Sequence, residues 1–396
     1  FPWREWREHA PACGHRKPLK LEGVGAGLKG LELTCTGCGA CRSMDGAFSP
    51  QALRDLGITH LWLLGVPRHA TGTDYSIIGL PADDPDLLKG VAGSPYAVRD
   101  YFDVCPDYAM EPAARLQEFT DLVRRIHDAG LFVIIDFIPN HVARSYHSVI
   151  RPDLDFGRGD DPTRFIAADN NFYYLEGTGP LRLPTVQDGR PISATCQALG
   201  GCDGRFDGER VHGRVTGNNV VSWSPGLGDW YETVKLNYGF DFRGGPGGER
   251  LFPTTAHPDR PIPDTWHKMD AILAYWQSLG VDGFRCDMAH WVPMEFWHWA
   301  IGLAHRRSPA GIFIAEAYND DPNKVVEGNV LAGLIEAGFD AVYDHASYGL
   351  LKGIFEGPKW ANDLDQVVGS VAPLHASLRY AENHDEVRLA HPAHWA

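Results

Sequence analysis

The chain has no long apolar run, little cysteine for its length and a deficit of positive charge. Leu131-Phe-Val-Ile-Ile is cut short by Asp136, and no other run approaches the ~18 residues of a membrane span, so a transmembrane helix is not expected. A formal charge of −15 repels nucleic acid and anionic lipid, which leaves a neutral polar ligand as the natural partner. Eight cysteines in 396 residues are too sparse for a disulfide scaffold. Cys105 and Cys286 sit in apolar, strand-like surroundings that read as buried thiols, which leans towards a reducing, cytoplasmic setting while localisation stays open. The chain starts at Phe1, not Met, and that position decides nothing about a removed signal segment.

What is present suits a large α/β enzyme. A hydrophobic share of 44% over 396 residues fills a (β/α)₈ barrel of about 250 residues and leaves room for an inserted domain. The 12 Trp and 14 Tyr can meet sugar faces, although most belong to a core. From residue 48 onward helix and strand alternate. Ser49–Leu56 reads as a helix and Thr59–Val66 as a buried strand; Leu116, Phe119, Leu122, Val123 and Ile126 share a helical face ahead of the strand Leu131–Phe137. A Gly-, Pro-, Asp- and Asn-rich stretch over 142–263 then breaks the rhythm and reads as an inserted domain. Alternation resumes with the helix Trp266–Leu279 and the strand Val281–Cys286, followed by a helix opened by Pro293 and strands at Gly311–Ala315, Gly338–Asp344 and Leu378–Ala381. With a first strand near Leu28–Leu33 the count is seven, so the expected organisation is barrel over 1–141, insertion over 142–263 and barrel again over 264–396, with an eighth strand missing from the chain.

Three acids end short apolar runs: Asp287, Glu316 and Asp385. Acids at the carboxyl ends of parallel barrel strands share one mouth. Cleaving a glycosidic bond with retention needs one ionised carboxylate to attack the anomeric carbon and one protonated carboxyl to expel the leaving oxygen. Asp287 has Arg285 two residues earlier on the same strand face, where the guanidinium would keep it ionised. Glu316 follows Ile312-Phe-Ile-Ala, and burial would hold its proton near neutral pH. Asp385 and His384 would bind hydroxyls where positive charge develops.

These residues resemble the short motifs of the alpha-amylase family, glycoside hydrolase family 13, in order: Asp136-Phe-Ile-Pro-Asn140-His141, Gly283-Phe-Arg285-Cys-Asp287, Ala315-Glu316 and Asn383-His384-Asp385. The insertion falls where that family carries its domain B, and Val234-Lys-Leu-Asn237 looks like the motif near that domain's end. The resemblance runs from about Ala47 to Asp385. It implies a retaining glycosidase on α-glucosidic bonds, with Asp287 as nucleophile, Glu316 as acid/base and Asp385 as stabiliser. His141 and His384 would bond the sugar, Arg285 would support the nucleophile, and Tyr96, in Ser94-Pro-Tyr96-Ala-Val-Arg-Asp-Tyr, would stack on it. Asp136 is expected to be structural. Asn140 is the family's calcium position, with Asn237 a second candidate, although calcium wants ~6–8 oxygens.

Two departures bear on the substrate. His290-Trp291 stands where starch-cutting members tend to have Lys-His, and Ala97 stands where chain-end cutters place Asp. Substrate length therefore stays open, as does hydrolysis against transfer, since both pass through one glycosyl-enzyme. A non-catalytic sugar-binding or partner barrel is the rival of another class. Cys35-x-x-Cys38-x-x-Cys41, with Cys13 and His15 upstream, has spacing that could hold zinc or an iron-sulfur cluster, but free thiols or an incidental disulfide are the simpler reading. Trp223, Trp230 and Tyr231 are expected to pack the insertion and not to touch sugar. The oligomeric state is not legible.

Overall fold

The computed structural model describes residues 20–22, 32–34, 50–187, 190–191, 202–357, 359–367 and 372–387. Its frame is one six-stranded parallel sheet in which neighbours in space are neighbours in sequence. The strands are β1 (His60–Leu63), β2 (Phe132–Phe137), β3 (Gly283–Cys286), β4 (Ile312–Ala315), β5 (Ala341–Tyr343) and β6 (Ser377–Leu378). Helices connect them: α1 (Pro50–Asp55) precedes β1, α2 (Arg115–Asp128) joins β1 to β2, α3 (Asp264–Ser278) leads into β3, α4 (Met294–Arg307) links β3 to β4, α5 (Val330–Glu336) links β4 to β5, and α6 (His345–Glu356) follows β5. Strand after strand beside its predecessor, with a helix at each crossover, is the wall of a partial (β/α) barrel.

Local sequence explains these elements. Helix α2 buries Phe119, Leu122, Val123 and Ile126, at i, i+3, i+4 and i+7 along one stripe, and Gly130 beyond it takes φ +74°, which lets the chain turn straight into β2. Helix α3 buries Trp266, Met269, Ile272, Leu273 and Trp276 in the same manner. Strand β2 is buried from Val133 onward and β3 throughout, because both strands have helices on one side and the barrel interior on the other. At Gly283 a Cβ would lie 2.6 Å from Ile312 O, so the close approach of β3 to β4 requires glycine.

The first strand differs from expectation. Glu32–Thr34 is extended but pairs antiparallel with Lys20–Glu22 in a two-stranded ladder of its own, apart from the parallel sheet. The two strands are close in sequence, so pairing them costs less loop entropy than pairing either with a strand further along the chain. Cys13, His15, Cys35, Cys38 and Cys41 lie outside the described residues. No helix among the described residues is long and apolar enough to cross a membrane. Cys105 and Cys286 are free and buried, as their surroundings suggested. Cys202 is disulfide-bonded, a bond that belongs to oxidising surroundings more than to the reducing compartment first favoured.

The long segment between β2 and α3 divides its side chains between two apolar clusters. Val142, Phe156, Phe172, Tyr238 and Phe252 join the main core, while Phe165, Tyr173, Leu175, Leu181, Leu183, Val215 and Tyr231 form a second cluster with Leu87. Its two ends meet where His141–Ala143 pairs antiparallel with Thr233–Lys235. Arg144 and Glu209, both fully buried, pair at 2.7 Å, and Arg214 adds a second cation at 2.8 Å. Burial weakens each ion, but mutual attraction keeps Glu209 below its usual range, so the base of the segment is pinned beside His141.

Candidate active site

Strand register brings the acids together. Arg285 is the registered partner of Asp136 on β2, and Cys286 is the partner of Ala315 on β4. One step further along both strands sets Asp287 beside Glu316, and Ala315 opposite Val342 sets Glu316 beside Tyr343 in the same way. Registered residues share a face, so Asp136, Arg285, Asp287, Glu316 and Tyr343 all point to the barrel interior. Two backbone bonds continue the ladder past the strand ends: Asp287 N–H donates to Phe137 O at 2.9 Å, and Glu316 N–H donates to Cys286 O at 3.0 Å.

Arg285 is the hub. Its Nη1 donates to Asp287 Oδ1 at 2.9 Å and to Asp136 Oδ1 at 3.3 Å, and its Nε donates to the Tyr343 hydroxyl at 3.2 Å. Nη2 approaches Glu316 Oε2 at 2.8 Å, an ion-pair contact whose direction does not make a hydrogen bond. Trp62, Tyr96 and Tyr343 place their rings 5.3 to 5.6 Å from the guanidinium carbon, so aromatic faces enclose the cation. Glu316 is further oriented by the Met288 N–H, which donates to Oε2 at 3.1 Å, and by the Tyr318 hydroxyl, which donates to Oε1 at 3.1 Å. Met288 takes a left-handed φ of +45°, unusual for a side-chain-bearing residue, and that turn aims its amide at the carboxyl.

Burial is the largest influence on both acids, and Arg285 opposes it at each. Burial pushes the Glu316 carboxyl up to about 7, with Arg285 pulling down and the Asp287 charge pushing up. Asp287 is also raised by burial, against the opposing pull of Arg285. The guanidinium therefore offsets burial at Asp287 without overcoming it, which the pairing visible in sequence did not convey. Asp136 is raised to about 6 by burial and accepts the Gly65 N–H at 2.9 Å, as expected of a structural acid.

Asp385 stands apart. Its carboxylate side chain is 54% exposed and lies 3.2 Å from His384 Nε2. His384 Nε2 is also 2.6 Å from the Tyr96 hydroxyl; its ring stacks on Tyr96 at 5.7 Å and meets the edge of Trp62 at 5.4 Å. The structure thus joins Tyr96, His384 and Asp385 in one chain, with Tyr96 turned to the histidine. His141 accepts from Asn140 Nδ2 at its Nδ1, 3.1 Å away, which places the proton on Nε2. Burial lowers His141 to about 3, so it is a neutral donor.

Asn140 does not fit calcium here. Its carboxamide oxygen accepts from Lys235 Nζ at 2.6 Å, while its amide donates to Gly217 O at 2.7 Å. An ammonium already faces the oxygen that a cation would need. Asn237 is no better, since its Oδ1 accepts from Gly239 N and its Nδ2 donates to Ala167 O and Asn170 O.

Four residues escaped sequence reasoning. Tyr343 and Tyr318 lie in or just past strands that were read correctly, and alternation would have turned Tyr343 inward. Lys235 sits within the Val234–Asn237 motif. Trp230, assigned to packing, lies 5.2 Å from His141 and stacks on Trp291 at 5.4 Å and 24°. Trp291 Nε1 and His290 Nε2 both meet Asp321 Oδ2, at 3.0 and 2.9 Å, so the His-Trp pair is firmly held. Tyr231, by contrast, is core, and Trp223 donates to Glu176 O.

Comparison with known proteins bears on this arrangement. Residues 1–73 match a domain of unknown function, DUF8724. An α-1,4-glucan:maltose-1-phosphate maltosyltransferase of Corynebacterium glutamicum is 28% identical over 131 residues, 31% of this chain and 18% of that protein. The alpha-amylase MalA of Haloarcula japonica is 34% identical over 135 residues, 32% of this chain and 18% of that protein. Over these segments the chain is similar to enzymes of the alpha-amylase family. The crystal structure of an alpha-amylase from Lactobacillus plantarum shares the fold at a TM-score of 0.50 and 22% identity, covering 86% of this chain and 58% of that one. The matched segments span under a fifth of the two sequence relatives, whose names state different activities.

Proposed function

We propose that this chain belongs to the alpha-amylase family and carries the catalytic face of a retaining enzyme for α-glucosidic bonds, with 142–263 as its domain B on an eight-stranded barrel. The Arg285 hub carries the reading, because one guanidinium touches both acids that a double displacement needs. Asp287 attacks the anomeric carbon as the glycosidic C–O bond breaks, and the leaving oxygen takes the proton of Glu316. The result is a glycosyl ester on Asp287 and a glutamate anion. Glu316 then removes a proton from the incoming hydroxyl, whose oxygen displaces Asp287 and restores both acids. Burial supports the first half, since a carboxyl held near 7 retains a proton at neutral pH. Asp385, with His384, is assigned the oxocarbenium charge and the ring hydroxyls, and neutral His141 a hydroxyl on the opposite side.

The deciding experiment follows product configuration by proton NMR during the first minutes of turnover on an activated α-glucoside. An α-configured first product is expected, and a β-configured one sinks the double displacement. A second reading, transfer to a sugar instead of water, is favoured by the Trp230–Trp291 stack beside His141, an aromatic surface suited to a second sugar ring. Added maltose should then divert product from glucose to longer oligosaccharides, and an unchanged product spectrum would favour hydrolysis.

A further inference from the structure

A second cluster of metal-binding side chains lies outside the acid site. His69 is paired antiparallel with Val98, in the two-stranded ladder of Pro67–His69 and Val98–Val104, and Cys105 follows directly after that ladder. Asp107 begins the next turn. One ligand atom from each of His69, Cys105 and Asp107 lies within 4.8 Å of the others. His69 is 4% exposed and Cys105 is fully buried.

The hydrogen bonds around the cluster leave the right atoms over. His69 Nε2 lies 2.9 Å from Ala92 O. A carbonyl can only accept, so Nε2 carries the proton and Nδ1 is a bare lone pair. That Nδ1 is buried and has no hydrogen-bond partner, a cost that folded proteins rarely leave uncompensated. Asp107 is oriented likewise: Oδ1 accepts the Tyr75 hydroxyl at 2.5 Å, and Oδ2 accepts the Cys105 thiol at 3.9 Å, through the proton that a metal ion would replace. An imidazole fixed by a carbonyl and a carboxylate fixed by a hydroxyl are the outer supports that metal ligands use.

We propose that His69 Nδ1, Cys105 Sγ and Asp107 Oδ2 bind a zinc ion, with water in the open fourth position on the part-exposed side of Asp107. Nitrogen, thiolate and carboxylate together suit zinc better than calcium or magnesium. Tetrahedral coordination sets ligand atoms about 3.5 Å apart, so the cluster closes by about 1 Å on binding. The step balances simply: Zn²⁺ replaces the Cys105 proton, which leaves to solvent, and thiolate plus carboxylate neutralise the ion. The site would clamp the loop that carries Tyr96. Ala92 holds His69, Ala70 N–H donates to Ala97 O at 2.9 Å, and Gly93 packs so close to Ala70 O that a Cβ would lie 1.7 Å from it.

The test uses the full chain with Cys13→Ser, Cys35→Ser, Cys38→Ser and Cys41→Ser, which removes the N-terminal thiols as competitors, and titrates cobalt(II) as a coloured zinc substitute. One equivalent should bind with a thiolate-to-cobalt charge-transfer absorption and release about one proton. Cys105→Ser should lose that absorption and Cys286→Ser should keep it. Should Cys105→Ser not fold, Asp107→Asn, which is part-exposed, decides the matter by binding at least about tenfold more weakly. No charge-transfer absorption in the parent, its survival in Cys105→Ser, or an unchanged affinity in Asp107→Asn would each overturn the assignment. Zinc should also raise the thermal midpoint of the parent more than that of Asp107→Asn.

Discussion

Beyond β3 and β4 the acids are sealed in protein, whereas beyond β6 the third acid stands half in water: the side chains of Asp287 and Glu316 are 9% and 6% exposed, and that of Asp385 is 54%. The first pair is oriented before any substrate arrives, by a guanidinium, a backbone amide and a tyrosine hydroxyl. Asp385 is oriented chiefly by its neighbour His384, and more than half of its side-chain surface is open to solvent. The contrast fits the division of labour proposed for them. Both bond-making groups need a fixed geometry, which burial supplies, and the acid also needs a retained proton, which burial favours at Glu316 while Arg285 opposes it at Asp287. A carboxylate that stabilises developing positive charge needs to remain ionised, which water favours.

The strongest way to break this comparison is to remove the sealed nucleophile. Asp287→Asn should lower kcat on an activated α-glucoside by on the order of 10⁴-fold or more, and ordinary turnover by that variant would remove Asp287 from the chemistry. Asp385→Asn should cost less, about 10²- to 10³-fold in kcat. It should also leave stability within about 0.5 kcal/mol, because an exposed acid gives up little packing. Arg285→Met supplies the opposite control. Stranding buried carboxylates should cost about 3–5 kcal/mol in chemical denaturation, and a variant as stable as the parent would mean that the hub is not the constraint described.

Titration sharpens the same contrast. In the free enzyme kcat/KM should fall above about pH 7 as Glu316 loses its proton, and Glu316→Gln should erase that alkaline limb. An alkaline limb that persists in Glu316→Gln would assign it to another group. The smallest effect concerns His141. Its folded pKa of about 3 lies below the 6.5 of the unfolded chain, so between those values the unfolded state binds more protons. Stability should therefore be lost as pH falls through that window, by up to about 1.4 kcal/mol per pH unit, and His141→Gln should flatten the slope measured by denaturation.

Much of the acid web was legible because strands have a period of two and their ends are marked. Apolar runs ending in Asp287 and Glu316 located the strand ends, and Arg285 two residues before Asp287 had to share its face. The sequence could not say which strands would be neighbours, so Tyr343 beside Glu316 and Lys235 beside Asn140 emerged only from register and from the return of a long segment. Trp230 was discounted because composition cannot distinguish a packed indole from one that borders a cleft. Leu28–Leu33 had the apolar character of a barrel strand, yet its described end pairs with Lys20–Glu22. Hydrophobicity specifies that a strand is extended, and local closure decides its partner.

Lys235 has a further consequence. A cation carried on a side chain cannot be diluted away or taken by a chelator, so the junction of Asn140, Gly217 and Lys235 should be indifferent to the removal of divalent ions. Burial lowers this ammonium to about 7, however, so it can be silenced by hydroxide. The junction then answers to acidity instead of to an ion supply: the unfolded chain holds that proton up to the ordinary lysine range, so the folded state should gain stability as pH rises from about 7 into mild alkali.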